Sequence, residues 1–216
     1  MIIQATRTLT DKVVSVAENL FMRLGVRSIT MDEVARTLSM SKKTLYQYFE
    51  NKDQLVSAAM IAHIKREEKA LKRVHKSSRN AIEEIHGLAE IMRKNLGQLN
   101  PSTLFDIQRF HPHAWEKFLN FKDKCIQGHT ANNIARGIKE GYYRPEIDAH
   151  ILARLRVEQV PLMFKPTVFS NADFDFKQVQ LQVLDHFIHG LLTNKGRKLY
   201  EKFPQEVQHT AKDKTL

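Results

Sequence analysis

Between residues 42 and 52 the chain gathers side chains able to hold a polyanion: Lys42, Lys43, Thr44, Tyr46, Gln47, Tyr48 and Lys52. Ammonium groups neutralise phosphates and release their counterions. The hydroxyls of Thr44, Tyr46 and Tyr48 are of the kind that bond phosphate oxygens and fix register. Gln47 can pair bidentately with adenine, and a lysine can donate to guanine O6 and N7. This is the chemistry of reading a duplex, and it needs a rigid, outward-facing support.

Residues 26–56, VRSITMDEVARTLSMSKKTLYQYFENKDQLV, supply that support. Thr30 followed by Glu33 predicts a capping box at the start of a short helix. Val34, Ala35 and Leu38 mark its buried stripe. Ser39-Met40-Ser41 breaks the run, and Ser41 caps a second short helix that sends Leu45 and Phe49 inward. A third helix starts near Lys52. Two helices separated by about three or four residues form a helix-turn-helix, whose second member lies in the major groove. Backbone N–H groups at the first helix's start, near Thr30 and Met31, suit one more phosphate. The competing reading takes Leu45, Tyr46, Tyr48 and Phe49 as the core of an ordinary helical bundle; for Leu45 and Phe49 both readings agree.

The set Thr30, Val34-Ala35, Ser41, Thr44-Leu45-Tyr46, Tyr48-Phe49, Lys52 and Leu55 resembles the tetracycline-repressor (TetR) family of transcriptional regulators. The resemblance covers roughly the first quarter of the chain. It implies that Thr44, Tyr46, Tyr48 and Lys52 touch backbone phosphates, while Lys42, Lys43 and Gln47 face bases or the groove floor. Two departures stand out. Ser39 occupies a turn position where the family usually has glycine, and Lys43 stands where the family often has a small residue. A long cation there would alter base preference.

Composition sets the bounds. The 216 residues permit one or two domains and a sizeable core. The net charge of +10 fits a polyanionic partner but does not locate it. Residues 1–74 hold 13 Lys+Arg against 8 Asp+Glu, a balance of +5, and the remainder carries the other +5. A single cysteine, Cys125, excludes an intrachain disulfide framework and points to a reducing compartment. Met1-Ile2-Ile3 is too short for a signal-peptide core, and no apolar run approaches the ~18 residues of a membrane span. A cytoplasmic protein with no membrane association is expected. Glycine-rich phosphate loops, HExxH, GxSxG and CxxC are all missing, so neither an enzyme nor a cofactor is expected. His111-Pro112-His113, and His186 with His189 beside Asp185, have spacings a metal could use. Ordinary helix surface explains them as well, and no metal is assigned.

Helical periodicity dominates throughout. The expected fold is all-α: an N-terminal three-helix helix-turn-helix domain with a connecting helix (1–74), and a C-terminal helical bundle for ligand binding and dimerisation (75–216). Thr10 is the expected cap of the first helix, with Val13, Ala17, Leu20 and Leu24 on one face and Gly25 at its C′ position. The connecting helix runs from Lys52 to Val74, and His75-Lys76-Ser77-Ser78 reads as a linker. Helices follow over 81–99, from Pro101 onward, and beyond a break at Pro112 to about Glu140, where Gly141 ends the run. Two more span 148–164, with Pro161 kinking or ending the first, and 176–193. The polar tail from Gln205 onward is expected to fray.

A single helix-turn-helix reads a short site, so a homodimer on a double-stranded DNA operator is expected. The candidate interface joins Ile151, Leu152 and Leu155 to Val183, Leu184, Phe187, Ile188, Leu191 and Leu192; periodicity fits interface and monomer core equally, and the resemblance favours the interface. A candidate effector pocket has walls of Met92, Phe105, Phe110, Trp115, Phe118 and Met163, with polar partners His86, His111, Cys125 and Gln159. No arginine-rich or acidic cluster is foreseen there, so the expected effector is apolar or amphipathic. The resemblance implies a repressor released when ligand shifts the spacing of the recognition helices. It also admits a DNA-bound scaffold for protein partners in chromosome organisation or division control.

Overall fold

A computed structural model describes residues 2–96, 99–170 and 172–203, and the side chains among them from residue 9 onward. The fold is all-α, and no strand is present among the described residues. The frayed tail expected from Gln205 lies outside them.

The N-terminal unit comprises α1 (Ile2–Leu24), α2 (Met31–Thr37), α3 (Lys42–Tyr48) and α4 (Lys52–Ser77). Thr10 does not cap α1, which has already run two turns by then. Val13, Ala17 and Phe21 form the buried stripe of α1, whereas Leu24 is exposed. Phe21 takes the inward position that periodicity assigned to its neighbour Leu20. Gly25 ends the helix at φ +87°, a conformation that costs glycine nothing.

Helix α4 is longer than expected. His75 to Ser77 continue it, and the chain breaks at Ser78–Asn80 instead. The Ser78 hydroxyl donates to the Val74 carbonyl at 2.7 Å, and His75 Nδ1 lies 2.8 Å from buried Glu84. These contacts hold the last turn in place.

The rest of the chain forms α5 (Ala81–Leu96), α6 (Ser102–Phe110), α7 (Pro112–Phe121), α8 (Gln127–Lys139), α9 (Ala149–Met163), α10 (Phe176–Leu191) and α11 (Asn194–Tyr200). Helices α7 and α8 are joined without a break by a π-helical segment, Lys122–Ile126. Pro112 stands at the first position of α7, where its missing N–H is harmless. Pro161 falls in the last turn of α9, which stops two residues later.

Two apolar cores result. The first joins α1–α4 to Ile107, Ala114 and Phe118 of α6 and α7. The second lies within α5, α8, α9, α10 and α11, centred on Ile82, Ile134, Tyr143, Ile188 and Leu191. Helices α6 and α7 thus form a wedge between the N-terminal unit and the C-terminal bundle. Asn100 N–H donates to Met22 O at 2.6 Å, the Thr103 hydroxyl donates to Phe21 O at 3.1 Å, and His111 Nδ1 lies 2.9 Å from Asp53. These three contacts tie α6 and the start of α7 to the N-terminal unit.

Candidate nucleic-acid interface

The helix-turn-helix is built from local bonds alone. Thr30 and Glu33 close a reciprocal capping box: Glu33 N–H donates to the Thr30 hydroxyl at 3.2 Å, and Thr30 N–H donates to the Glu33 carboxylate at 2.6 Å. Those bonds hold the Glu33 carboxyl below its usual range. They also place a carboxylate at the start of α2, where the sequence suggested room for a phosphate. At the other end of α2, Ser39 N–H donates to Arg36 O and Met40 N–H to Ala35 O, both at 3.0 Å. This is a Schellman turn, and Ser39 carries its left-handed residue at φ 53°. The serine thus adopts the conformation that glycine would favour.

Helix α3 is capped by Ser41, whose hydroxyl accepts from Thr44 N–H at 3.0 Å. Leu45 (0% exposed) and Phe49 anchor it in the first core. The opposite face is open: Ser41, Lys42, Lys43, Tyr46 (40% exposed) and Gln47 face solvent, with Thr44 and Tyr48 half-buried at its edges. The buried and exposed side chains thus lie on opposite faces of the same two turns.

The open side chains are not equally free. Lys42 Nζ sits 2.8 Å from Asp32 on α2 and 5.9 Å from the Tyr46 ring centre, and the Asp32 hydrogen bond raises its pKa. Both partners are exposed, so the pair is weak and a phosphate can compete for the lysine. The Thr44 hydroxyl lies 2.8 Å from that of Ser41. Lys43 and Gln47 are exposed and have no bonded partner among the described residues, so their polar groups are open to solvent.

Lys52 opens α4, which Asn51 caps by accepting from Gln54 N–H at 2.9 Å. Partial burial lowers the Lys52 pKa, against opposing pulls from Glu33 and Asp106. An ammonium at a helix N-terminus opposes the macrodipole. A phosphate above it would relieve that conflict.

The candidate pocket residues are scattered. Trp115 stacks on Phe118 at 5.1 Å inside the wedge against the N-terminal core. Phe110 is exposed, with Arg27 and Arg109 over its ring at 5.1 and 5.5 Å. His111 is tied to Asp53, His86 stacks on Phe203 at 4.5 Å, and Met92 packs on the second core. Phe105 is half-buried on α6. Cys125 sits half-buried in the π-helical segment, its thiol pushed up by burial. Of the whole set, Met163 alone borders the apolar cavity found between α6, α9 and α10, which measures about 30 Å³. That is room for roughly one water. No arginine lines that cavity; Arg93 pairs with Glu90, and the Arg156 guanidinium lies over the Phe187 ring at 5.7 Å.

The candidate interface residues divide. Leu184, Phe187, Ile188, Leu191 and Leu192 lie in the chain's own second core, while Leu152 and Val183 are half-buried. Ile151 and Leu155 are 65% and 52% exposed, and Leu162 on the same side of α9 is 41% exposed. His186 faces solvent, and His189 lies 3.4 Å from Asp185 and edge-on to Tyr200. Among the described residues no three His, Cys, Asp or Glu side chains cluster as metal ligands would, and no helix is long and apolar enough to cross a membrane.

Comparison with known proteins agrees with this geometry. Residues 13–59, which run from the middle of α1 to the first turns of α4, match the family model "Bacterial regulatory proteins, tetR family". An HTH-type transcriptional regulator of Bacillus subtilis (strain 168), YvaF, is 33% identical over 91 residues, 41% of this chain and 47% of that protein. The match thus spans about half the length of that relative. Among solved structures, a TetR-family regulator from Agrobacterium tumefaciens superposes with a TM-score of 0.69 at 12% identity, covering 87% of this chain and 99% of that one. A transcriptional regulator from Saccharomonospora viridis in complex with choline gives 0.68 at 18%, with coverage of 87% and 99%. Residues 13–59 thus match the tetR family of bacterial regulatory proteins, and the chain as a whole shares the helical fold of these solved regulators.

Proposed function

We propose that this protein is a sequence-specific DNA-binding transcriptional regulator that acts in the bacterial cytoplasm as a homodimer. The observation that carries the reading is the outward face of α3. Lys43 and Gln47 present free donors there, Thr44, Tyr46 and Tyr48 flank them, and Lys52 marks the start of α4 behind. Pairing through the exposed α9 side chains Ile151, Leu155 and Leu162 is the proposed contact, and the reading requires it to hold two such faces about 34–36 Å apart, one turn of duplex.

The regulator is read as a repressor released by a small apolar or amphipathic effector. The choline-bound neighbour supports small-molecule sensing in a fold of this kind. The described cavity, about 30 Å³, is too small for such a ligand, so the effector would bind a more open bundle. The wedge of α6 and α7 offers the route to the reading head, since it contacts α1 and α4 directly.

Selection of genomic fragments by the purified full chain tests the reading. Recovery of one or a few palindromic sites near promoters is expected, with a Gln47→Ala protein losing preference at one base pair of each half-site by about 1–3 kcal/mol. Fragments with no shared sequence, or identical selections by the two proteins, would overturn it.

A further inference from the structure

The corner where α6 meets α7 carries two cations that the fold leaves without a counter-charge. Phe110 ends α6 with its side chain 46% exposed, and two guanidinium groups lie over its ring, Arg27 at 5.1 Å and Arg109 at 5.5 Å from the centre. Both arginines are exposed, and neither makes an ion pair or a hydrogen bond among the described residues. Their shared ring makes them close neighbours, and like charges so placed repel each other. The ring face attracts each of them only weakly at an exposed site.

The corner is anchored on both sides. Ile107 and Ala114 are buried in the first core, His111 N–H donates to Ile107 O at 2.9 Å, and Pro112 opens α7 at once. The corner also adjoins the parts of the helix-turn-helix proposed to hold phosphates. Arg27 precedes the Thr30 cap of α2 by three residues. His111 Nδ1 lies 2.9 Å from Asp53, the neighbour of Lys52, and Lys52 feels both Glu33 of α2 and Asp106 of α6. Arg27, Lys52 and Arg109 are therefore grouped where α2, α4 and α6 meet. The carboxylates of this region are already engaged: Glu33 in the Thr30 cap, Asp53 with His111, and Asp106, 6% exposed, beside the Ser102 hydroxyl at 3.3 Å.

We propose that this corner is a further contact with the DNA backbone, in which Arg27 and Arg109 hold phosphate oxygens beside the phosphate assigned to Lys52, and the Phe110 ring keeps the two guanidiniums in position. The proposal rests on the regulator reading above and adds a contact from outside the helix-turn-helix, since Arg109 and Phe110 belong to α6. A guanidinium presents its N–H groups in a planar fork that matches phosphate oxygens. A polyanion relieves the repulsion between two adjacent cations and releases its own counterions as it does so. Phosphate contacts carry no sequence information, so the corner adds affinity and leaves base preference to α3. An acidic protein surface would also suit two arginines, but continuity with Lys52 and the start of α2 favours a duplex.

Fluorescence anisotropy of the full chain tests the contact, on a labelled duplex carrying a selected genomic site and on one of unrelated sequence, each at several salt concentrations. The double variant Arg27→Gln, Arg109→Gln is expected to weaken binding to both duplexes by the same factor. It should reduce the slope of log K against log salt by about 0.9 for each phosphate given up in each protomer, and select the same sequences as the natural protein. Lysine at both positions should restore the slope. Lys198→Gln with Lys202→Gln removes equal charge from exposed positions at the end of α11, in the C-terminal bundle, and should leave the slope unchanged. A glutamine variant that kept its slope would overturn the proposal and leave the arginines to an acidic protein surface; an equal loss of slope in the α11 variant would overturn it as a general charge effect. The two readings fail separately. A protein that selects no shared sequence yet loses slope at the corner defeats the regulator and keeps the contact. One that selects its sites while the glutamine variant keeps its slope defeats the contact alone, and one that binds no duplex defeats both.

Discussion

At the scale of single residues, the positions that matter most are those where local cost and proposed use coincide. Lys52 stands at the positive end of α4 and is partly desolvated, two conditions that disfavour an ammonium. Removing its charge should therefore leave the free protein as stable or slightly more so. On DNA the effect should be opposite: Lys52→Gln is expected to weaken binding to all sequences alike and to reduce the slope of log K against log salt by about 0.9. Titrations at several salt concentrations, paired with a thermal melt, measure both; an unchanged slope would remove Lys52 from the phosphate contacts. Ser39 carries a cost with no such use. Its φ of 53° is a left-handed conformation that an L-residue adopts at about 1–2 kcal/mol. Ser39→Gly should stabilise the fold by up to about 1 kcal/mol after glycine's larger chain entropy is subtracted. Denaturant unfolding reads this directly, and a loss of stability would mean that the Ser39 side chain contributes more than its backbone costs.

At the scale of elements, the structure separates what short-range rules reach from what they do not. Thr30, Glu33, Ser41 and Gly25 were legible because a cap is a bond between residues three or four apart. The exposed face of α3 was legible for the same reason, since burial of Leu45 and Phe49 turns Lys43 and Gln47 outward. Helix α11 and the burial of Tyr143 were not. Their logic is tertiary: Thr193 N–H donates to Tyr142 O at 2.9 Å, and the Tyr143 hydroxyl donates to Asn133 at 3.0 Å beneath the start of α5. The aromatic segment 104–121 read as a pocket because composition cannot distinguish a ligand wall from a wedge between two cores. Gly137 exposes this hidden packing. A Cβ there would lie 2.1 Å from the Tyr143 ring, too close for the fully buried tyrosine to yield easily. Gly137→Ala would usually favour a helix interior by about 1 kcal/mol, yet here overpacking of about 1–3 kcal/mol should win. A lower denaturation midpoint is expected; a higher one would show that Tyr143 can move aside cheaply.

At the scale of the whole molecule, the proposed reading of an operator calls for two copies, and the folded protomer restricts where they can meet. Five of the apolar residues first assigned to the interface, from Leu184 to Leu192, are already covered by the chain's own α5, α8 and α9. Replacing them would unfold the protomer and reveal nothing about pairing. The outer face of α9 is different, because Ile151, Leu155 and Leu162 recur at helical spacing and stay largely exposed without any partner. Water around three such side chains is costly for a solitary protomer, and covering them stabilises a pair by roughly 1.5–3 kcal/mol for each side chain fully buried. Leu155→Glu should therefore leave the melting of an isolated protomer nearly unchanged, since glutamate suits an exposed helix position about as well as leucine. In the dimer it would place two carboxylates in an apolar contact and break it. Sedimentation should show a dimer for the natural protein and a monomer for the variant. Affinity for a full palindromic site should fall about 100-fold or more, because the second half-site is then no longer held at high effective concentration. Affinity for an isolated half-site should stay the same. A Leu155→Glu protein that remained dimeric would move the interface off α9, and a monomeric one that kept full palindrome affinity would show that the reading heads act singly.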